Sequence, residues 1–230
     1  MTGAPRQPAT TLLRPGAERA FVSPMSPRGF RFLRLLLGLA LLPAAARATT
    51  VVPPEFELLV NESDYVVRAV VESVRAEYRD GPQGRLIWTL VGLRVTEKVA
   101  GQPPDRLELA LAGGEIGNDR LVLVGAPTFR VGDEDFLFVR DNGRTVYPLF
   151  AMMYGRYPVL RDAATGAEYV ARSNRVPLQD VAEVSLPLAE GPAATLLQRA
   201  VRAGDALTPA AFARQVRAKV DPTHVRRQAR

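Results

Sequence analysis

The chain has 230 residues, a formal net charge of +6, no cysteine and one histidine, His224, which falls in the basic C-terminal tail. This composition excludes disulfide scaffolds, zinc sites built from cysteine or histidine, and Ser-His-Asp or Cys-His catalysis. The positive charge does not indicate nucleic-acid binding, because seven arginines precede Thr49 in a segment that we expect to be removed.

An export leader is expected near the N-terminal end. Three arginines within residues 28–34 precede a short apolar run over residues 35–42, and Ala46-Arg47-Ala48 supplies the small residues of a cleavage site. We therefore predict a signal peptide over residues 25–48, with residues 1–24 as a non-native start or a disordered extension. The apolar run is far shorter than the ~20 residues of a membrane span.

Cleavage after Ala48 would give a mature chain that begins at Thr49. The leader removes seven of the 30 basic residues and one of the 24 acidic residues, so the mature chain is neutral, with 23 of each. A neutral chain does not favour nucleic acid as a partner. Export without cysteine is typical of bacteria, so we expect a secreted or periplasmic bacterial protein with no membrane span in its mature chain.

The first predicted elements are a helix and two long strands. Pro53-Pro54 suits the start of a short helix that runs to about residue 63. Long strands are predicted over residues 64–78 and 85–99, and Gly92 permits a sharp bend in the second one. Shorter strands follow over residues 106–114, 120–125, 134–140, 144–150, 154–162 and 167–173.

The pattern changes to helices after residue 177. Helices are predicted over residues 191–204, with Leu196 and Leu197 on the apolar face, and over residues 208–220, with Phe212 and Val216 in an apolar stripe. We expect a mainly-β fold: one small β-barrel domain over residues 49–176, with a helical segment over residues 177–230 packed on it. Pro158 predicts an edge position for its strand.

The alternation of apolar and polar residues along the strands predicts the barrel core. The expected core residues are Val66, Val70, Ile87, Val91, Leu93, Leu107, Leu109, Phe136 and Phe138. The glycines of residues 111–138 are expected at turns between strands, because the segments that follow them have strand patterns and lack the lysine of a phosphate loop.

Few side chains offer chemistry. The acidic run Asp133-Glu134-Asp135, joined by Glu115 and Asp119, could chelate a hard cation, although acids in turns are more often solvated. Trp88, Tyr154 and Tyr157 could line a binding surface or pack within the strands. No nucleophile, base or metal set stands out, so we expect neither an enzyme nor a bound cofactor.

The mature N-terminal stretch "TTVVPPEFELLVNESDYVVRAVV" resembles the netrin-like module, an OB-type β-barrel, and in particular the tissue inhibitors of metalloproteases. The family has a Cys-Thr-Cys-Val-Pro-Pro start, followed at a similar distance by Ser-Asp and a Val-x-Arg-Ala strand. The matching positions here are Thr50, Val52, Pro53, Pro54, Ser63, Asp64, Val66, Arg68 and Ala69.

This resemblance implies a partner-binding role for Thr49, Thr50, Val51 and Val52. In the inhibitors the first residue ligates the catalytic zinc of the protease through its amino group and carbonyl, and the second side chain enters the neighbouring pocket. Those roles fall to Thr49 and Thr50. The cysteines that hold the inhibitors rigid are replaced here by Thr49 and Val51, so the segment is less preorganised.

A second, broader resemblance runs from Leu58 to about Val159 and joins the chain to a group of secreted bacterial proteins. It is carried by the stretches "TEKVAG", "LAGGEIG", "GAPTFRVGDEDFLF" and "YGRYPV". It implies no particular activity. The function expected first is therefore an exported non-catalytic protein-binding module, with an exported zinc metalloprotease or another envelope protein as partner. A structural or envelope-assembly protein comes second, and a carboxylate-based hydrolase last.

Overall fold

A computed structural model describes residues 52–81 and 84–221 of the chain. The predicted signal peptide and its upstream extension, Thr49 to Val51, and the tail from residue 222 lie outside these ranges. Within the described ranges the fold is mainly β, with helices near both ends. None of the described helices is both long and apolar enough to cross a membrane.

Within these ranges the strands are β1 (Tyr65–Gly81), β2 (Gly84–Ala100), β3 (Arg106–Ala112), β4 (Gly114–Ile116), β5 (Asp119–Leu121), β6 (Glu134–Val139), β7 (Arg156–Arg161) and β8 (Glu168–Val170). The α-helices are α1 (Phe56–Asn61), α2 (Gly191–Ala200) and α3 (Pro209–Lys219). Short 3-10 helices span Met152–Gly155, Val181–Ser185 and Ala203–Asp205.

Six strands form one antiparallel sheet in the order β3-β2-β1-β6-β7-β8, and β4 pairs with β5 in a separate hairpin. The predicted closed barrel is wrong, because no described strand joins the edges β3 and β8. The edge at β8 is instead satisfied by the C-terminal segment: the Val170 amide donates to the Leu207 carbonyl at 2.8 Å, and the Leu178 amide donates to the Val170 carbonyl at 2.9 Å.

Apolar side chains form two clusters in place of one barrel core. Along β6, Phe136 and Phe138 belong to one cluster, while Leu137 and Val139 belong to the other, as strand alternation requires. The first cluster includes side chains of α1 and α3, and the second joins β1, β2, β3 and the segment that contains Phe129. Of the nine predicted core residues, Val66, Ile87, Val91, Leu93, Leu107, Leu109, Phe136 and Phe138 are buried and Val70 is half-buried.

The long β1–β2 hairpin bends where Gly92 faces Ser73. The pairing register of the two strands shifts between Val71 and Ser73. A Cβ atom on Gly92 would collide with the Ser73 hydroxyl oxygen, so a larger residue here would force the Ser73 side chain to move. The bend predicted for β2 therefore has a counterpart in a bulge of β1.

The last helix packs as its sequence pattern predicts. Phe212 and Val216 are fully buried, and the Thr208 hydroxyl accepts the Ala211 amide at 3.2 Å, which caps the N-terminal end of α3. The Phe212 ring packs edge-on to Phe136, with their centroids 5.0 Å apart. Helix α3 thus closes the first apolar cluster.

Four other predictions are wrong. The strand predicted over residues 120–125 is present only as β5, which ends at Leu121. Leu196 and Leu197 of α2 are exposed, because this helix buries only Ala194. Residues 144–150 form turns with a single bridge to Val139 instead of a strand. Pro158 was expected at a sheet edge, but it is buried between β6 and β8. Its missing N–H is tolerated there because the chain on the β8 side needs only its carbonyl, which accepts the Ala171 amide at 2.9 Å.

Candidate functional site

A buried arginine gathers three segments of the chain. The guanidinium of Arg156, with its side chain only 8% exposed, donates from Nε to Asp135 Oδ1 at 2.8 Å and from Nη2 to Asp133 Oδ2 at 2.9 Å. Its Nη1 donates to the Thr128 carbonyl, and its central carbon lies 4.4 Å from the centre of the Phe129 ring. Charge-assisted hydrogen bonds and ring stacking together fix this guanidinium in place.

Strand geometry explains why two of the neighbouring acids meet the same arginine. Asp133 and Asp135 are two residues apart at the start of β6, so their side chains point to the same face. Glu134 points to the opposite face, where it pairs with Arg68 at 2.8 Å. Strand β7 brings Arg156 beside β6 through the pairing of residue 156 with Leu137.

The structure does not assemble the predicted cation site. All three carboxylates of the run over residues 133–135 are engaged by arginines. Glu115 and Asp119 lie on the separate β4–β5 hairpin, where Asp119 accepts a hydrogen bond from the Tyr78 hydroxyl at 2.5 Å. Among the described residues, no group of three or more His, Cys, Asp or Glu side chains is placed to hold a metal ion.

Asp135 is the most deeply buried acid of this arrangement. Its side chain has no exposure, and its Oδ2 atom has no hydrogen-bond partner among the described residues. Burial raises the pKa of this carboxyl above its ordinary value, and the charge of Arg156 opposes that shift without cancelling it. Asp135 is therefore a buried carboxylate with one unused acceptor atom.

A cleft of about 360 Å³ opens beside Arg156. Arg130 and Arg175 are exposed residues of its wall, and no carboxylate in the described part of the chain forms an ion pair with either guanidinium. A smaller cleft of about 230 Å³ shares Asp133, Arg156 and Arg175 with the first and is also lined by Asp135. The volume of the larger cleft is at the lower end for small-ligand sites.

The far wall of the cleft is the segment Leu186–Glu190. Arg172 donates to its Pro187 carbonyl at 3.3 Å and to the Leu186 carbonyl, and the Asn174 side chain donates to the Ala189 carbonyl at 2.9 Å. These bonds attach the segment to the turn after β8. The wall is thus held by side-chain donors, although it has no regular strand or helix structure of its own.

The three predicted surface aromatics have different roles. Tyr154 is buried behind the cleft wall, and its hydroxyl accepts the Leu188 amide at 3.4 Å. Tyr157 is a core residue, and its complete burial raises the pKa of its phenol. Trp88 is half-buried, with the Arg79 guanidinium 5.6 Å from its ring centre.

An apolar groove of about 280 Å³ lies on the other side of the segment over residues 126–128, which lines both cavities. Leu111, Val122 and Phe129 are among its lining residues. Val122 and the neighbouring Val124 and Val131 are 64%, 89% and 66% exposed. An apolar groove with exposed apolar side chains in and near it is a candidate interaction site.

The partner-binding residues predicted at the N-terminal end are only partly described. Thr49, Thr50 and Val51 lie outside the described residues. Val52 is 77% exposed, just ahead of α1. The arginines of the cleft were missed by the sequence analysis, although Arg156 stands out in "YGRYPV" as a lone charge within an apolar stretch.

No protein-family model, curated protein or solved structure gives a significant match to this chain. The resemblance to the netrin-like module stays a prediction from the residues. The function is therefore argued from the geometry of the cleft and the groove, because a mainly-β fold alone is compatible with many functions.

The raised pKa of Asp135 makes a pH-dependent stability contribution testable. The pKa of Asp135 is higher in the folded chain than in the unfolded chain, where it is about 4. Its protonated form therefore stabilises the fold at low pH, and this contribution is lost as the pH rises from about 4 through the pKa of the folded state. The free energy of unfolding in urea should be measured for wild type and Asp135→Asn across this pH range. We expect the difference, wild type minus variant, to fall as the pH rises. A difference that grows with pH would contradict the raised pKa of Asp135.

Proposed function

We propose that the protein is an exported, non-catalytic protein-binding module that binds an extended segment of another protein at the apolar groove. The observation that carries this proposal is the exposed apolar side chain of Val122 in the lining of that groove, with exposed Val124 and Val131 close to it along the chain. Apolar surface of this extent costs free energy in water unless a partner covers it.

The edge of β1 beside the groove supplies a second element of such a surface. Strand β6 pairs with residues 65–70 of β1. Residues 73–80 pair only with β2 within the described part of the chain, and Val74 of this stretch also lines the groove. An extended partner segment could add to this edge through main-chain hydrogen bonds while its side chains enter the groove, a recurrent mode of peptide recognition.

The arrangement of charges supports binding over catalysis. The buried acids Asp133 and Asp135 are held by Arg156, and Glu134 is held by Arg68. A carboxylate that is paired with an arginine is a poor general base, because the positive charge stabilises its ionised form and opposes its protonation. The paired acids are thus better explained as supports for the loop than as reacting groups.

Photocrosslinking in the native host tests this proposal. A photoreactive phenylalanine at Val124 should give a discrete adduct with a second exported protein, and Val122→Asp should remove that adduct because a charge in the groove opposes apolar contact. The matched control is the same probe at the exposed Arg214 on α3. No adduct at Val124, or the same adducts at Val124 and Arg214, would refute the groove as the docking surface. Adducts between two copies of the chain would instead favour a structural or envelope-assembly role.

A sharper version of the same function is inhibition of an exported zinc metalloprotease by the mature N-terminal segment. It is supported by the resemblance at residues 49–69 and by Val52, which projects into solvent ahead of α1. The finer fold assignment, an open variant of the netrin-like barrel, is supported by the short helix before a long bulged first strand.

The inhibitor version depends on a free amino group at Thr49. An α-amine with a pKa near 8 can lose its proton on meeting zinc at modest cost. One alanine added before Thr49 should abolish inhibition of a panel of exported zinc proteases, while Thr50→Gly should weaken it less. Unchanged inhibition by the chain with the added alanine would refute the zinc-ligating role of Thr49. This result would not affect the groove proposal, which is tested by crosslinking.

A further inference from the structure

The cleft beside Arg156 presents guanidinium donors that the rest of the described structure does not use. A guanidinium has five N–H groups. Three of those of Arg156 are directed at Asp135, Asp133 and Thr128, which leaves two on a side chain that lines the cleft. The Arg156 guanidinium is fixed by these three hydrogen bonds and by the Phe129 ring, so it would lose little conformational freedom on donating to one more acceptor.

Two further guanidinium groups belong to the same cleft. Arg130 and Arg175 are exposed at its wall and have no ion pair with any described carboxylate, in contrast to Arg156. The acids of the cleft are Asp133 and Glu190, and the carboxylate of Asp133 is already engaged by Arg156 and by the Arg130 amide at 3.0 Å. Asp135, which lines the adjoining cleft, is also paired with Arg156, so three guanidiniums face the carboxylates of Asp133, Asp135 and Glu190. Of the three arginines, Arg130 and Arg175 are the two without an ion pair to a described carboxylate.

This charge balance selects the class of ligand. Arg130 and Arg175, which have no ion pair with a described carboxylate, suit an anionic ligand, and Asp133 and Glu190 would oppose one with two charges at close range. The planar fork of a guanidinium matches the two oxygens of a carboxylate. Apolar lining by Met153, Pro158 and Leu188 leaves room for a short hydrocarbon group beside the anion.

Backbone strain is concentrated at the wall of this cleft. Arg175 has a φ of 65° in a turn that is closed by the hydrogen bond from its amide to the Arg172 carbonyl at 2.7 Å. Ala151 and Met152, next to the lining residue Met153, have φ values of 53° and 55°. Glycine or asparagine would adopt the left-handed conformation at lower cost than arginine, so the arginine at position 175 carries backbone strain.

We propose that this cleft is a carboxylate-binding site, in which Arg130 and Arg175 pair with the carboxylate at the rim and Arg156 donates to it from the floor. The carboxylate could belong to a small free acid or to the C-terminal residue of a peptide chain, since the recognising chemistry is the same. The site is independent of the apolar groove as a docking surface, although the segment over residues 126–128 lines both.

Chemical-shift titration of the isotope-labelled full chain tests the site. The probes are acetyl-alanyl-alanine with a free carboxylate, the same dipeptide as its C-terminal amide, and propionate. We expect a saturable shift of the Arg130 and Arg175 amides with at least one carboxylate probe and none with the amide. Binding by the dipeptide alone would assign a chain terminus, and equal binding of propionate would assign a small free acid.

Matched variants separate binding from folding. Arg130→Gln and Arg175→Gln should each weaken binding about tenfold or more, as expected for loss of a charge-assisted hydrogen bond, while Arg214→Gln on α3 should not. Arg175→Gly should weaken binding with an unchanged or higher melting temperature, because it relieves the backbone strain.

If no probe at up to about 10 mM gave a saturable chemical-shift change at the cleft residues, the carboxylate site would be refuted, because any weaker binding would not be specific. It would also be refuted if Arg175→Gln and Arg214→Gln had the same effect on binding. The expected attraction is electrostatic, so an affinity that did not fall as the salt concentration rose would contradict the pairing with arginine.

Discussion

The buried guanidinium of Arg156 holds together the part of the molecule that carries both candidate surfaces. It joins β7 to the start of β6 through Asp133 and Asp135, and to the preceding loop through Thr128 and Phe129. Burying this charge is costly, and removing one partner from such a pair typically costs about 3–5 kcal/mol. Only arginine can make these bonds at once, because a lysine ammonium lacks the planar fork. The geometry of the loop therefore depends on one side chain.

The two cavities are consequences of how that loop is held. The segment over residues 126–128 separates the cleft from the apolar groove and lines both. The cleft is lined by arginines, and the groove is apolar and lies beside residues 73–80 of β1, which pair only with β2 in the described part of the chain.

The sequence predicted the parts of the fold that follow from local periodicity. The alternation around Leu109 and the helical stripe through Phe212 and Val216 both correspond to buried faces. Sheet closure could not be predicted, because it depends on pairing between distant edges. The exposure of Leu196 and the pairing of Arg156 were missed for the same reason, since each depends on what the tertiary fold places opposite that residue.

Hydrogen exchange of the segment over residues 122–133 tests most directly whether Arg156 holds this loop. The informative variant is Arg156→Lys, which keeps the positive charge beside Asp135 but cannot bridge Asp133 and Thr128 at the same time. Faster exchange in this segment, with unchanged protection around Phe212 in α3, is the result that the dependence on Arg156 predicts. Equal protection of the segment in wild type and Arg156→Lys would contradict it.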